Sequence, residues 1–483
     1  DKPLAEIAEE EKPFELPAGW EWVRLGDITN YGTTTKVERL QPDTWVLDME
    51  DIEKSSGRLL QRLRFAQRPA LSDKNCFLAG DVLYGKLRPY LNKVLVADED
   101  GVCTTEVIPF RCYGNYVPQY FRLVLSSPFF LEYVNARSYG MKMPRLGTED
   151  ARKSVIPLPP LAEQSRIVTR VEALMRLCDA LEAKGQLEAA QHAQLVSTLL
   201  GTLTASTTSE ELAANWQRVA QHFDLLLDRP EAIDALEQTL LQLAVRGLLV
   251  PQDPTDEPAS ALLQKIRAEK DRLIATGQIK RDKPLPPITD EEKPFELPVG
   301  WEWVRLGALI ELVSGQHLGP SEYVDGLTAS LPYLTGPAEF GTLSPEPTRS
   351  TYERRAVAVC DDILITVKGS GVGKLNVVKH DEVAISRQLM AIRPVLLNAE
   401  FLMIFLQTMA HYFQAKSIGI AIPGIGREDV THAEFGLPPL AEQSRIVTRV
   451  TALRRLCTDL RQRLAERQSV QARLAEALMA FVA

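Results

Sequence analysis

The sequence predicts a mixed α/β protein made by internal duplication: two small mixed α/β bodies, each followed by long helices of coiled-coil type. Three observations carry this reading. "LPPLAEQSRIVTRV" occurs twice, letter for letter, at Leu158–Val171 and Leu437–Val450. "EEKPFELPAGWEWVRLG" at Glu10–Gly26 returns at Glu291–Gly307 with one change, Ala18 against Val299. After each closing motif, apolar residues step by four and three. A period of about 280 residues far exceeds the ~20–50 of solenoid repeats, so whole domains are duplicated.

A chain of 483 residues and 53.8 kDa is too long for one core and points to about two to four domains. The motifs divide it into a first body (1–157), a helical region (158–281), a second body (282–436) and a second helical region (437–483). Mean hydropathy of −0.11 and the absence of a long apolar run exclude a membrane helix. The charged, proline-studded start is not a signal peptide. Six isolated cysteines without a CxxC pair read as reduced thiols, which places the chain in the cytoplasm. Net charge is −9, yet between Lys54 and Val94 nine Lys/Arg face two Asp/Glu. A basic face on an acidic protein is compatible with DNA, and equally with an ordinary solvated surface.

Within the first body, "GDVLYGKL" reads as a strand entering a Gly/Lys turn, "NKVLVAD" and "TTEVIPFR" as further strands, and 118–137 as an aromatic-rich helix. In the second body, "DDILITVKG", "KLNVVKH", "AISRQLMAIRP" and a helix over 398–416 repeat that order. The double proline of each closing motif stops a strand, and Glu163 and Glu442 follow at a helix N-terminus. Ile167, Val171, Leu174, Cys178 and Leu181 form one heptad seam. Ile446, Val450, Leu453, Cys457, Leu460 and Leu464 form another. Gly185 breaks the first seam, and two matched seams favour packing on each other. The bridge is interrupted near Gly201 and resumes as helices over 211–227, 230–246 and 258–276, with Gly247 and Gly277 as stops. The helices at 230–276 lead into the second opening motif and nothing comparable leads into the first. This asymmetry predicts an N-terminal helical segment in the natural protein.

Catalytic motifs fail. "KGSGVGKL" departs from a phosphate loop at two fixed positions, since Lys368 stands where glycine is needed and Leu375 where a hydroxyl binds Mg²⁺. The six histidines show no metal spacing, and no hydrolase or methyltransferase signature is present. No catalytic, cofactor-binding or metal-binding residue is therefore assigned. Binding loops are better supported, because Arg and Lys neutralise phosphate or reach guanine, and Asn and Gln pair with adenine. In the first body the candidates for DNA contact are Tyr84, Lys86, Arg88, Asn92, Lys93, Arg137, Lys142 and Arg145. In the second they are Lys368, Ser370, Lys374, Arg387, Gln388, Lys416 and Arg427.

The chain resembles the specificity (S) subunits of type I restriction–modification enzymes. The resemblance rests on "PLPPLAEQSRIVTRVEAL" and "GLPPLAEQSRIVTRVTAL", with "GWEWVRLGD" and "GWEWVRLGA" at the openings. "LQLAVRGLLVPQDPTDEPASALL" also resembles the central region of one subgroup. The resemblance covers nearly the whole chain. It implies two target recognition domains, each reading half of a split double-stranded DNA target. The helices would pack antiparallel as a coiled-coil spacer under pseudo-twofold symmetry. They would dock two methyltransferase subunits, which use S-adenosylmethionine to methylate adenine N6. Two restriction subunits would add ATP- and Mg²⁺-dependent translocation and cleavage. The chain itself would be a non-catalytic, cofactor-free subunit. The alternatives are a coiled-coil adaptor with two protein-binding heads and no DNA footprint, and an NTPase using Lys374 that would lose nucleotide binding on Lys374→Ala.

Overall fold

The computed structural model describes residues 4–36, 39–69, 74–140, 142–206, 208–281, 283–342, 344–417 and 424–482. The chain divides into two compact units, residues 1–186 and 187–483. In chain order the first unit contains β1 (Glu21–Arg24), α1 (Leu25–Ile28), β2 (Trp45–Leu47), β3 (Leu63–Arg64), β4 (Lys74–Phe77), β5 (Val82–Gly85), β6 (Val94–Val96), β7 (Gly101–Thr104), β8 (Val107–Phe110), α2 (Pro118–Leu125), α3 (Pro128–Arg137), α4 (Thr148–Lys153), β9 (Val155–Leu158) and the start of α5 (Leu161–Ala205). Two sheets, ordered β6-β5-β8 and β3-β2-β7-β4, make the body. Phe110, Phe121, Phe130, Ile156 and Val168 are buried together in its main core. The single helix expected over 118–137 is two helices. Pro128 disfavours helical backbone in the residue before it, and Ser127 is extended (ψ 153°).

The second unit carries α6 (Ser209–Gln221), α7 (Phe223–Leu226), α8 (Pro230–Val245) and α9 (Ala259–Ala275). Then follow β10 (Glu302–Arg305), β11 (Ile310–Ser314), β12 (Tyr323–Asp325), β13 (Leu331–Leu334), β14 (Arg349–Thr351), β15 (Val357–Val359), β16 (Ile363–Thr366), β17 (Leu375–Val377), β18 (Glu382–Ile385) and β19 (Leu389–Pro394). It closes with α10 (Ala399–Thr408), α11 (Ala410–Lys416), α12 (Arg427–Thr431), β20 (Glu434–Leu437) and α13 (Leu440–Val482). Its body has sheets ordered β11-β19-β16-β17 and β12-β14-β13-β18-β15.

The repeated motifs pair with each other. β1 runs antiparallel to β9, with Glu21 opposite Leu158 and Arg24 opposite Val155. β10 does the same with β20, with Glu302 opposite Leu437 and Arg305 opposite Glu434. Each ladder is clamped by a buried arginine. Arg24 donates to the Glu11 carboxylate (2.8 Å) and to the carbonyls of Ala5 (2.6 Å) and Lys153 (2.7 Å). Arg305 donates to Glu292 (2.7 Å) and to the carbonyls of Pro286 (3.2 Å) and His432 (2.7 Å).

The helices depart from expectation in further places: the one expected over 398–416 breaks at Met409 into α10 and α11, and the one over 211–227 breaks at His222 into α6 and α7. α5 runs without interruption through Gly185 and Gly201 and ends at Ala205. A Cβ at either glycine would meet nothing, so a lone glycine costs only about 1 kcal/mol of helix propensity there. The second seam is buried against α8: Cys457 and Leu464 share a core with Ile233, Leu236 and Leu240, and Leu453 and Leu460 pack on it. Leu174, Cys178 and Leu181 of the first seam are exposed, while Ile167 packs on the core of its own body. A heptad stripe specifies an apolar face and leaves its partner open.

Glu292 titrates low, at about 2, because the Thr289 N–H and the Arg305 guanidinium hold its ionised form. A depressed carboxylate stabilises the fold above its unfolded value of ~4.3, and that contribution is lost as pH falls toward about 2. Denaturation midpoints measured from pH 5 down to pH 2 should therefore fall less steeply for Glu292→Gln than for the native chain.

Candidate nucleic-acid interface

One corner recurs in both bodies, built from the same backbone hydrogen bonds. In the first, the chain leaving β5 donates from Lys86 N–H to the Glu106 carbonyl (2.9 Å), and the Lys86 carbonyl accepts from Leu146 N–H (3.0 Å). In the second, the chain leaving β16 donates from Val367 N–H to the Gln388 carbonyl (2.8 Å), and the Val367 carbonyl accepts from Ile425 N–H (3.0 Å). Leu87 bridges Arg145 as Lys368 bridges Gly424. Each strand is braced at its start by an aspartate that accepts from a backbone N–H three residues earlier (Asp81 from Leu78, Asp362 from Val359, both 2.8 Å). The same aspartates hold Arg111 (2.7 Å) and Arg393 (2.9 Å). These aspartates lie under one another in "GDVL" and "DDIL", a signal the sequence reading passed over.

The side chains on this shared frame differ. In the first corner Arg145 donates from two nitrogens to the Glu106 carboxylate (both 3.1 Å). Lys86 and Arg88 stand half-buried beside this pair, and Arg88 N–H donates to the Pro144 carbonyl (2.7 Å). Arg88 (φ 49°) and Asn92 (φ 50°) flank the turn Pro89–Leu91 in left-handed conformations that non-glycine residues seldom adopt. Such strained positions gather at functional sites. Tyr139, which the sequence reading did not single out, bridges Arg145 and is exposed. In the second corner Lys368, Ser370, Lys374, Arg387 and Gln388 are all exposed. The turn 367–374 joins two antiparallel strands, with Gly373 N–H donating to the Thr366 carbonyl (2.9 Å). A phosphate loop of nucleotide-binding proteins passes instead into a helix.

Other candidates are placed elsewhere. Tyr84 lies in the core, where burial pushes its phenol upward. Lys93 donates to the Met49 carbonyl (2.7 Å), and burial holds its ammonium below the ordinary lysine range. Asn92 donates to the Ser126 carbonyl (3.1 Å). Arg427 ties α12 to β11 through the Leu312 carbonyl (2.5 Å). Arg137 lies over the Tyr133 ring (4.1 Å) and Lys416 over Tyr412 (5.6 Å), while Lys142 is exposed. Residues 418–423 of the second loop lie outside the described residues. The basic run from Lys54 is largely neutralised: Arg62 pairs with Asp98 and Glu99, Arg64 with Glu99, Arg68 with Glu50 and Asp51, and Lys74 with Asp48. These carboxylates come from outside the run, so local composition overstated its free charge. Among the described residues no group of three His, Cys, Asp or Glu could hold a metal ion, and no helix is long and apolar enough to cross a membrane.

Residues 17–191 and 298–467 match the family described as "Type I restriction modification DNA specificity domain". The EcoAI specificity subunit of Escherichia coli is 36% identical, over 99% of this chain and 84% of its own. The EcoEI specificity subunit of the same organism is also 36% identical, with the same coverage. The HsdS subunit of Thermoanaerobacter tengcongensis shares the fold at 24% identity, with a TM-score of 0.50 over 98% of both chains. A chain from a study of type I R-M complex assembly aligns with a TM-score of 0.60 at 24% identity, over 97% of this chain and 98% of that one. The chain belongs to the family of type I restriction–modification DNA specificity subunits. Its function is DNA sequence specificity, carried by two recognition bodies.

Two glycines meet their surroundings differently in the second body. A Cβ on Gly315 would lie 2.0 Å from the Ser386 carbonyl oxygen, in rigid backbone. A Cβ on Gly336 would lie 2.5 Å from Gln388 Oε1, the end of a movable side chain. Gly315→Ala should destabilise the second body by about 1–3 kcal/mol. Gly336→Ala should leave thermal unfolding nearly unchanged, because the Gln388 side chain can move aside. Melting curves of the two variants check both.

Proposed function

We propose that each body reads one half of a split double-stranded DNA target through the recurring corner. The observation that carries this is one backbone frame bearing different polar side chains, Arg145 and Glu106 in one body, Lys368 and Gln388 in the other. Glutamine presents a carboxamide suited to adenine, and lysine and arginine suit guanine or phosphate. Divergent chemistry on a common frame is what two different half-sites require.

In this reading the helices following each body dock two methyltransferase subunits and two restriction subunits. Within the verbatim "LPPLAEQSRIVTRV", Ser165, Thr169 and Arg170 and their counterparts Ser444, Thr448 and Arg449 are exposed in both copies and offer two identical partners the same contacts. S-adenosylmethionine belongs to the methyltransferase partner, which modifies adenine N6. ATP and Mg²⁺ belong to the restriction partner. This chain contributes no catalytic group and works in the cytoplasm. The length of its helices, at ~1.5 Å per residue, rather than base contacts, spaces the half-sites.

A map of N6-methyladenine in the host genome, with and without the gene, tests the reading. Loss of one two-part motif with a fixed gap is expected, and an unchanged map with an active methyltransferase partner would overturn it. In vitro, Lys368→Ala and Lys374→Ala should each reduce the slope of log K against log salt by about 1 if each meets a phosphate. Gln388→Ala should relax selectivity within one half-site and leave the other unchanged.

A further inference from the structure

The opening and closing motifs are nearly identical in the two units, yet their surroundings are not. In the second unit the Trp301 indole N–H donates to the Glu442 carboxylate (2.9 Å), whose other oxygen accepts from the Gln252 carboxamide (2.7 Å). Arg445 pairs with Asp256 through both terminal nitrogens (3.1 and 2.5 Å). Gly247, in the left-handed region, brings the chain close against Pro298 and Trp301. Leu241, Leu262, Leu263 and Ile266 complete a core with Trp301, Val304, Ile446 and Val450. The motif is therefore covered by a helix, a glycine turn, a proline-flanked acidic turn and a second helix, all drawn from α8 to α9.

In the first unit the same residues lack that cover. Trp20 is half-buried, and its indole N–H is shielded from solvent with no hydrogen-bond partner among the described residues. Glu163 meets Arg166 only at 4.0 Å, and the Arg166 side chain is 73% exposed. Ile167 and Val171 are half-buried where Ile446 and Val450 are sealed. A shielded indole N–H without an acceptor is a defect that folded proteins rarely keep. The second unit shows what removes it: a carboxamide that fixes the glutamate against the indole, and a carboxylate that takes the arginine.

We propose that the face formed by Trp20, Glu163, Arg166, Ile167 and Val171 is a docking surface for a helix–turn–helix segment with the chemistry of residues 230–275. The bound segment presents an apolar helical face to Ile167 and Val171. Its turn donates a carboxamide N–H to Glu163, which in turn accepts from Trp20, and places a carboxylate on Arg166. The charges are complementary, and the second unit displays every one of these contacts on the same sequence. The surface is separate from the DNA-reading corner and does not depend on it.

The test adds a second copy of residues 230–281 directly ahead of residue 1, so that it runs into the first opening motif as the original runs into the second. The native chain has six tryptophans and the added stretch none, so indole ¹⁵N–¹H spectra stay interpretable. Trp20→Phe assigns the Trp20 signal, and an unmoved Trp301 signal reports an intact second unit. The expected result is a downfield shift of the Trp20 signal toward that of Trp301, with solvent exchange slowed at least tenfold. Glu163→Ala, or alanine at the added copies of Gln252 and Asp256, should remove both effects. A Trp20 signal unchanged by the added copy would overturn the proposal. So would one that shifts with protein concentration in the unextended chain, which would assign the face to a second copy.

Discussion

Each body is closed by one short ladder and one buried guanidinium. β1 and β9 join over four residue pairs, as do β10 and β20, and Arg24 and Arg305 fasten the approaching chain to the strand. Four residue pairs are few for an independent two-stranded sheet. The arginine adds charge-assisted bonds to a carboxylate and to carbonyls on both sides of the ladder, where an unpaired buried charge would be costly. Glu11 is held below the ordinary carboxylate range by Arg24 and the Ala8 N–H, and Glu292 by the Thr289 N–H and then Arg305. Opening motif, ladder and closing helix consequently act as one device, used twice.

On that device the bodies divide into invariant and variable parts. The brace from Asp81 to Arg111 and its counterpart from Asp362 to Arg393 set the strand that ends at the recurring corner. Beyond the brace the backbone bonds are kept while the side chains change. Backbone groups must be paired wherever they are buried, so the frame tolerates little. Exposed side chains at the corner carry no such obligation, and there sequence difference can become specificity.

Strands, glycine stops and the start of each long helix were legible in the sequence because their signals are local. The stop at Gly247 and the helix from Pro230 both follow from rules a few residues wide. The recurring corner was legible as loops but not as residues. Tyr84 alternates into the core, Lys93 turns to a carbonyl 44 residues away, and Arg145 finds Glu106 across 39 residues. The same distance hid the neutralisation of Arg62, Arg64 and Arg68. A heptad stripe likewise could not say that α8, rather than the matching seam, seals Cys457 and Leu464.

The ladders also decide what a change of length inside a body can do. The chain leaves β1 at Arg24 and returns at Val155, directly opposite it, one strand spacing away at ~4.8 Å. To the helix that follows, the whole body is a side loop whose ends never separate. Residues can be gained or lost in exposed loops between those ends without moving the start of α5, provided the core that Ile167 and Val168 share with the body is kept. The cost of closing such a loop grows only with the logarithm of its length. The two opening motifs and the two closing motifs are spaced almost equally, yet among the described residues the bodies between them have different strand counts. The helices are thus insulated from length changes in the outer loops of the bodies, while Val168, Ile446 and Val450 keep them coupled to the body cores.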